Sequence, residues 1–262
     1  TLLKETNLTI TCNWDDPHAT ERNEPVLKMA PVLPAANSLT APVFFNTNSI
    51  ASASYRVVPY PAESPNHPGG TPAVVSNPWN MAGGNATSLG WHSDGTTDYN
   101  ITRGNNVWAK EDRAGNNSNS GLPATSTTTP DLNFDFTPDF SVTPTQTTPV
   151  QNQQFNITNL FYWNNIFHDI SYNYGFDEVA GNFQANNQGR GGAGNDYVKA
   201  DAQDGGGTNN ANFSTPADGG SGRMQMYLWN GSPQIDGDAD NGVMAHEFTH
   251  GTSNRLTGGP SQ

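Results

Sequence analysis

Two histidines four residues apart, His246 and His250, enclose Glu247 in the run GVMAHEFTHG at residues 242–251. On a helix, side chains at that spacing lie one turn above the other, so both imidazoles can reach one ion. Neutral imidazole is a zinc ligand, and zinc lowers the pKa of a bound water and polarises a carbonyl. Glu247 is turned by about 100° from His246, too far round to join the histidines as a ligand in the same plane of approach. It is placed instead to take a proton from an activated water and pass it to a leaving amine. The chemistry these three residues suit is peptide-bond hydrolysis, with Glu247 as the catalytic base. Two imidazoles do not complete a zinc site. The extended motif with a third histidine needs Gly at 253 and His at 256, and the chain has Ser253 and Leu256. The third ligand is therefore expected from further away. Two ordinary surface histidines are the plain alternative, but an HExxH match arises by chance in only about 1% of chains this long.

The elements that must hold these residues are partly readable. Asp240 suits the N-cap of a helix over 242–256, with Gly258 as its stop. Between Asp240 and Arg255 only His246, Glu247 and His250 are ionisable, the pattern of a buried helix. Ahead of it, Met224, Met226 and Leu228 alternate with Gln225 and Tyr227, which predicts a strand over 223–229. Leu160, Trp163, Phe167, Ile170 and Tyr174 recur at steps of three and four, one face of an amphipathic helix. Asn156 or Thr158 can cap its start and Gly175 can end it. The Gly/Asn-rich run 180–213 is too polar for a core and reads as loops with short strands. Near the N-terminus, Leu8, Ile10 and Cys12 alternate as in a strand, and residues 15–52 read as a connector. Alternation resumes at Tyr55, Val57 and Pro59, and short strands are expected near 106–109 and 132–136. The expected fold class is α+β, a β-rich lobe ending in the helix of the site.

The composition narrows the function classes. Hydrophobic residues are 33% and charged residues 13%, but 12 Phe, 8 Tyr and 6 Trp supply apolar anchors for a core. The net charge is −13 with no Lys/Arg cluster, which argues against nucleic acid as a partner. No run is long and apolar enough to predict a membrane span. Cys12 is the only cysteine, so neither an internal disulfide nor a cysteine zinc site is available.

GVMAHEFTHGTSNRLTGGP closely resembles the active-site segment of the fungalysin metallopeptidases, secreted relatives of thermolysin. The resemblance extends upstream through LGWHSDGTTDYNITRGNN and through FDEVAGNFQANNQGRGGAGNDYVKADAQDGGGTNNANFSTPADGGSGRMQMYLW. It implies a zincin fold, one zinc ion, His246 and His250 as ligands, Glu247 as base, protein or peptide substrates, and secretion. It also implies that Asn210 and Ala211 hold the substrate backbone as an added β-strand, a mode that is tolerant of side chains. The family's third ligand is a glutamate a couple of dozen residues past the second histidine. Here 12 residues follow His250, and none is Asp, Glu, His or Cys. The chain is accordingly expected to be a truncated catalytic domain over 54–262, with its C-terminal helical lobe missing. Residues 1–53 are expected to be the last strand of the family's inhibitory propeptide plus a linker.

Other residues invite weaker readings. Asp236, Asp238 and Asp240 alternate as in a calcium loop, but Asn241 stands where an EF-hand needs glycine. A simpler calcium site on two or three of these carboxylates is weighed against an acidic turn. His168–Asp169 reads as an incidental pair, and Asp94 and Asp98 as turn residues. Sequons occur at Asn7, Asn85, Asn100, Asn116, Asn156, Asn212 and Asn230. Two further function classes stand beside the peptidase: a catalytically silent zincin-fold binding module, and an inhibitory or folding-assistant segment at the N-terminus.

Overall fold

A computed structural model describes residues 8–11, 50–144 and 150–257 of the chain. The strands before the first helix are β1 (Leu8–Thr11), β2 (Ala53–Val57), β3 (Ala73–Ser76), β4 (Val107–Glu111) and β5 (Leu132–Phe134). Helix α1 (Val150–Asn173) follows, then β6 (Val198–Ala202), β7 (Ala211–Thr215), β8 (Arg223–Met226), β9 (Leu228–Trp229), β10 (Ile235–Asp236) and α2 (Asn241–Leu256). The main sheet has the order β1-β7-β8-β6-β4, with β8, β6 and β4 mutually parallel and β7 antiparallel to both its neighbours. A smaller sheet, β3-β2-β5, and the β10-β9 pair complete the strands among the described residues. This is the α+β architecture expected.

Helix α1 packs against β2, against β4 and β6, and against α2, so it joins both sheets to the helix of the site. It differs from the expected amphipathic stripe. It begins at Val150, so Asn156 and Thr158 are interior, and it is buried on almost every side from Phe155 to Asp169. Of the expected stripe, Ile170 is 39% and Tyr174 76% exposed. The reason lies in the asparagines. Asn159 Nδ2 donates to the Asp238 carbonyl (2.7 Å) and to Asn241 Oδ1 (2.9 Å), and its Oδ1 accepts from the Val58 amide (2.9 Å). Asn165 Oδ1 accepts from Asn106 Nδ2 (3.0 Å). A polar side chain satisfied in this way can be buried where an apolar-only count expects solvent. Gly175, just past the end, takes φ 101°, the left-handed conformation of a helix stop.

Beneath α1 lies an aromatic stack. His92 lies over Phe134 at 5.1 Å between ring centroids, Tyr55 over Phe134 at 5.4 Å, and Trp91 meets Tyr162 edge-on at 5.6 Å. In β2, Ala53, Tyr55 and Val57 point inward as the alternation required, but Val58 is also buried, in a satellite cluster with Ala62 and Phe155. The run judged too polar for a core contains β6 and β7, whose Ala200, Ala202, Ala211 and Phe213 are fully buried. Asp201 in β6 is buried because Lys110 Nζ (2.5 Å) and Arg223 neutralise it, so its charge hides a core strand. The 223–229 strand breaks at Tyr227 into β8 and β9. The expected N-terminal strand is β1, whereas most of the connector (residues 15–49), Cys12 and Gly258 lie outside the described residues.

Candidate active site

Helix α2 starts where the cap was expected. Asp240 Oδ1 accepts from the amides of Gly242 (3.0 Å) and Val243 (3.2 Å). Val243, Met244, Glu247, Phe248, Gly251 and Arg255 face inward, while His246 and Thr249 are exposed and His250 is half-buried. The helix is thus buried on one face only. Its uncharged outer face misled the fully buried expectation, and that face carries the histidines.

Gly251 makes the inward face possible. A Cβ there would stand 2.6 Å from Phe213 Cε1 on β7, so helix and strand meet at a distance only glycine permits. Alanine would gain about 1 kcal/mol of helix propensity and lose about 1–3 kcal/mol to overpacking. Phe213 is held by Phe183 (5.5 Å) and Phe248 (6.5 Å between centroids), so it has little room to yield. Gly251→Ala is expected to lower the urea midpoint through a net loss of up to about 2 kcal/mol, with an unchanged m-value.

The far end of α2 is clamped by Arg255. Its Nη1 donates to the Gly181 carbonyl (2.7 Å) and to Asp196 (3.0 Å), its Nε to the Pro216 carbonyl (2.8 Å), and its Nη2 to the Gly220 carbonyl (2.8 Å). The guanidinium also lies 4.5 Å from the Phe183 ring centroid. Sequence reasoning missed this positioning residue. The available signal was a single arginine in a helix otherwise almost without charge.

His246 Nε2 and His250 Nε2 approach to 2.8 Å, with ring centroids 4.5 Å apart. The two imidazoles converge on one point at the surface. Glu247, between them in sequence, is fully buried, and neither carboxylate oxygen has a hydrogen-bond partner. Burial pushes its carboxyl up to about 8. Burial and then the neighbouring His246 push the His250 imidazole down, towards the neutral form that ligates metals. Two imidazole nitrogens bound tetrahedrally at zinc distances would stand about 3.3 Å apart, a small opening from the 2.8 Å observed. Donor type and convergence therefore fit zinc. A cleft of about 520 Å³, lined by Trp229, Ile235, Asp236, Gly237, Val243 and His246 among others, opens beside the start of α2.

Two other expected site residues, Asn210 and Ala211, stand at the start of β7. Asn210 folds back, its Oδ1 accepting from the Ala211 amide (2.9 Å), and Ala211 opens β7 fully buried. β7 touches α2 further along, at Phe213 and through Thr215 Oγ1, which accepts from Asn254 Nδ2 (3.2 Å). Asp94 Oδ1 accepts from the Thr96 and Thr97 amides, the turn role expected. His168 and Asp169 are no incidental surface pair. They are buried, Nδ1 to Oδ1 at 2.9 Å, with Asp169 Oδ2 also accepting from Trp91 Nε1. Asn156 and Asn212 are buried, which removes both from the sequons.

The family model described as fungalysin metallopeptidase (M36) matches residues 54–262. The chain belongs to the fungalysin family. A relative named extracellular metalloproteinase 2, from Arthroderma otae, is 47% identical over 215 residues, covering 81% of this chain and 32% of that protein. The extracellular metalloproteinase MEP of Fusarium vanettenii is 49% identical over 212 residues, covering 80% and 31%. This fungalysin chain therefore spans about a third of the length of the curated relatives it matches.

Proposed function

We propose that the protein containing this chain is a secreted zinc endopeptidase in which His246 and His250 bind the metal and Glu247 is the general base. The observation that carries the reading is Glu247 itself. A fully buried carboxylate without a hydrogen-bond partner, next in sequence to one of two convergent imidazoles, is costly unless a reaction uses it. Zinc would supply the positive charge that acidifies a water and polarises the scissile carbonyl. Glu247 would accept the water proton and hand it to the departing amine nitrogen. A silent binding module would have no use for this carboxylate.

The extended substrate would pair with β7 from Asn210 and Ala211 onward, main chain to main chain. β1 already lies antiparallel along that strand, with Thr11 opposite Asn212 and Leu8 opposite Thr215. This supports residues 1–53 as the end of a propeptide plus linker, with its strand standing where a substrate would, and residues 54–262 as part of the catalytic domain. The third ligand, in this reading, is a glutamate contributed from outside the chain by a helical lobe. Among the described residues the one cluster of three or more candidate metal ligands, Asp112, Asp201 and Asp204, lies elsewhere. Secretion rests on relatives named extracellular. Among the described residues no helix is long and apolar enough to cross a membrane.

Metal analysis tests the assignment. The full-length protein is expected to carry one zinc per chain, and His250→Ala to lose both the zinc and casein cleavage. A His250→Ala protein with full zinc and full activity would refute it.

A further inference from the structure

Immediately before α2, the segment 236–240 places two carboxylates in the interior. Asp236 is 4% exposed and Asp238 fully buried. Asp236 is furnished as an ionised group: its Oδ2 accepts from Asn156 Nδ2 and Gln203 Nε2, each at 2.7 Å, and its Oδ1 accepts from the Asp238 amide at 3.0 Å. Asp238 is not so furnished. Neither of its carboxylate oxygens has a partner in good hydrogen-bond geometry, and the groups that reach it are the Asp236 carboxyl and the Gln203 backbone amide. Asn156 adds a third oxygen, since its Oδ1 is buried without a partner while its Nδ2 holds Asp236.

Two neighbouring buried carboxylates cannot both be charged without a counter-charge. The cation acting on Asp236 is Arg113, whose donors go elsewhere: Nε to Gln203 Oε1 (2.8 Å) and Nη2 to the Pro144 carbonyl (2.9 Å). The contrast with Asp112, Asp201 and Asp204 is instructive. There Asp201 is met by Lys110 and Arg223, Asp112 by the amides of Asn116 and Asn117, and Asp204 by the Gly206 amide and Gln225 Nε2. That acidic trio is already satisfied. Around the Asp236–Asp238 pair, three oxygens of hard-donor type are left unused, two on Asp238 and one on Asn156.

We propose that Asp236, Asp238 and Asn156 Oδ1 form a binding site for a hard divalent cation of calcium's class, tying α1 to the start of α2. Calcium takes six to eight oxygens in irregular geometry, so carboxylate and amide oxygens completed by water suit it. The cleft beside α2 is lined by Asp236 and Gly237, which gives a hydrated ion a way in. The tie acts on the active-site helix, because Asn159 on α1 already holds the Asp238 carbonyl and Asn241 at the helix start. The site is separate from the His246–His250 pair and stands or falls without it. A single proton on Asp238 is the competing counter-charge, and it would supply one donor for three acceptors.

The test uses the full-length, zinc-loaded protein depleted of calcium, melted calorimetrically at pH 7 while calcium chloride is added. The wild type is expected to gain about 5 °C or more at saturating calcium. Asp238→Asn should abolish that gain. Asn156→Asp adds a carboxylate and should lower the calcium concentration at half-effect by about tenfold. This second variant decides the matter if Asp238→Asn does not fold. A wild type insensitive to calcium, a gain that persists in Asp238→Asn, or an unchanged half-effect in Asn156→Asp would each overturn the site.

Discussion

On the proposed function, Glu247→Gln in the full-length protein is expected to leave a folded, zinc-loaded protein whose kcat/KM for peptide cleavage is about 10²–10⁴-fold lower. Glutamine matches glutamate in shape, so Met244, Phe248 and Gly251 on the inner face of α2 keep their packing. The substitution removes only the ability to accept a proton at that position. Stability should not fall, because both oxygens are buried unpartnered and burial already favours the neutral form of the carboxyl, which the amide matches in shape and charge. Zinc content should also hold, since His246 and His250 are untouched. The loss should appear in kcat with little change in KM, as expected for a group acting in the transition state. The measurement is a steady-state profile on a quenched peptide, paired with metal analysis and a melting curve. Activity within a factor of about three of wild type would mean that another group takes the proton.

How much of this site could be read beforehand follows from how local each feature is. The imidazole spacing, the Asp240 cap and the alternation of Tyr55 with Val57 depend on neighbours within a turn or a strand, and all three appear as expected. The start of α1 was misplaced because Asn156, a good capping residue, is instead buried against Asp236, 80 positions away. The burial of β6 and β7 was hidden by composition. Asp201 looks like a surface charge until Lys110 and Arg223 are brought to it, and Gly222 looks like a loop residue until Phe213 is seen against it. Asn210 and Ala211 came from the family resemblance alone, since nothing in their spacing separates a substrate strand from a polar turn. The buried Asp238 looked like one of three equivalent acids in a turn. Only the partners of Asp236 and Asp240 set it apart.

Acid is expected to unfold the protein through His92. The imidazole is 2% exposed, stacked on Tyr55 and Phe134 and tilted against Phe161 at 4.8 Å. Nδ1 lies 3.0 Å from the Ile101 carbonyl, which can only accept, so the ring proton sits on Nδ1 and Nε2 accepts from the Tyr55 hydroxyl at 2.7 Å. Both nitrogens are satisfied in the neutral ring. Burial pushes the pKa down from 6.5 to about 3, although the backbone of Ile101 and Arg103 favours the charged form. Below pH 6.5 the unfolded chain takes up a proton that the folded chain refuses, so stability falls as pH drops. The slope is about 1.4 kcal/mol per pH unit, and the loss levels off near pH 3 at about 5 kcal/mol. Urea midpoints at pH 7, 5 and 4, compared between wild type and His92→Phe, isolate this contribution from that of the carboxylates. Phenylalanine keeps the stack and loses both hydrogen bonds, so the variant should start lower at pH 7 and decline less steeply, the two curves converging as pH falls. Parallel curves would show that His92 takes up its proton in the folded protein as readily as in the unfolded chain.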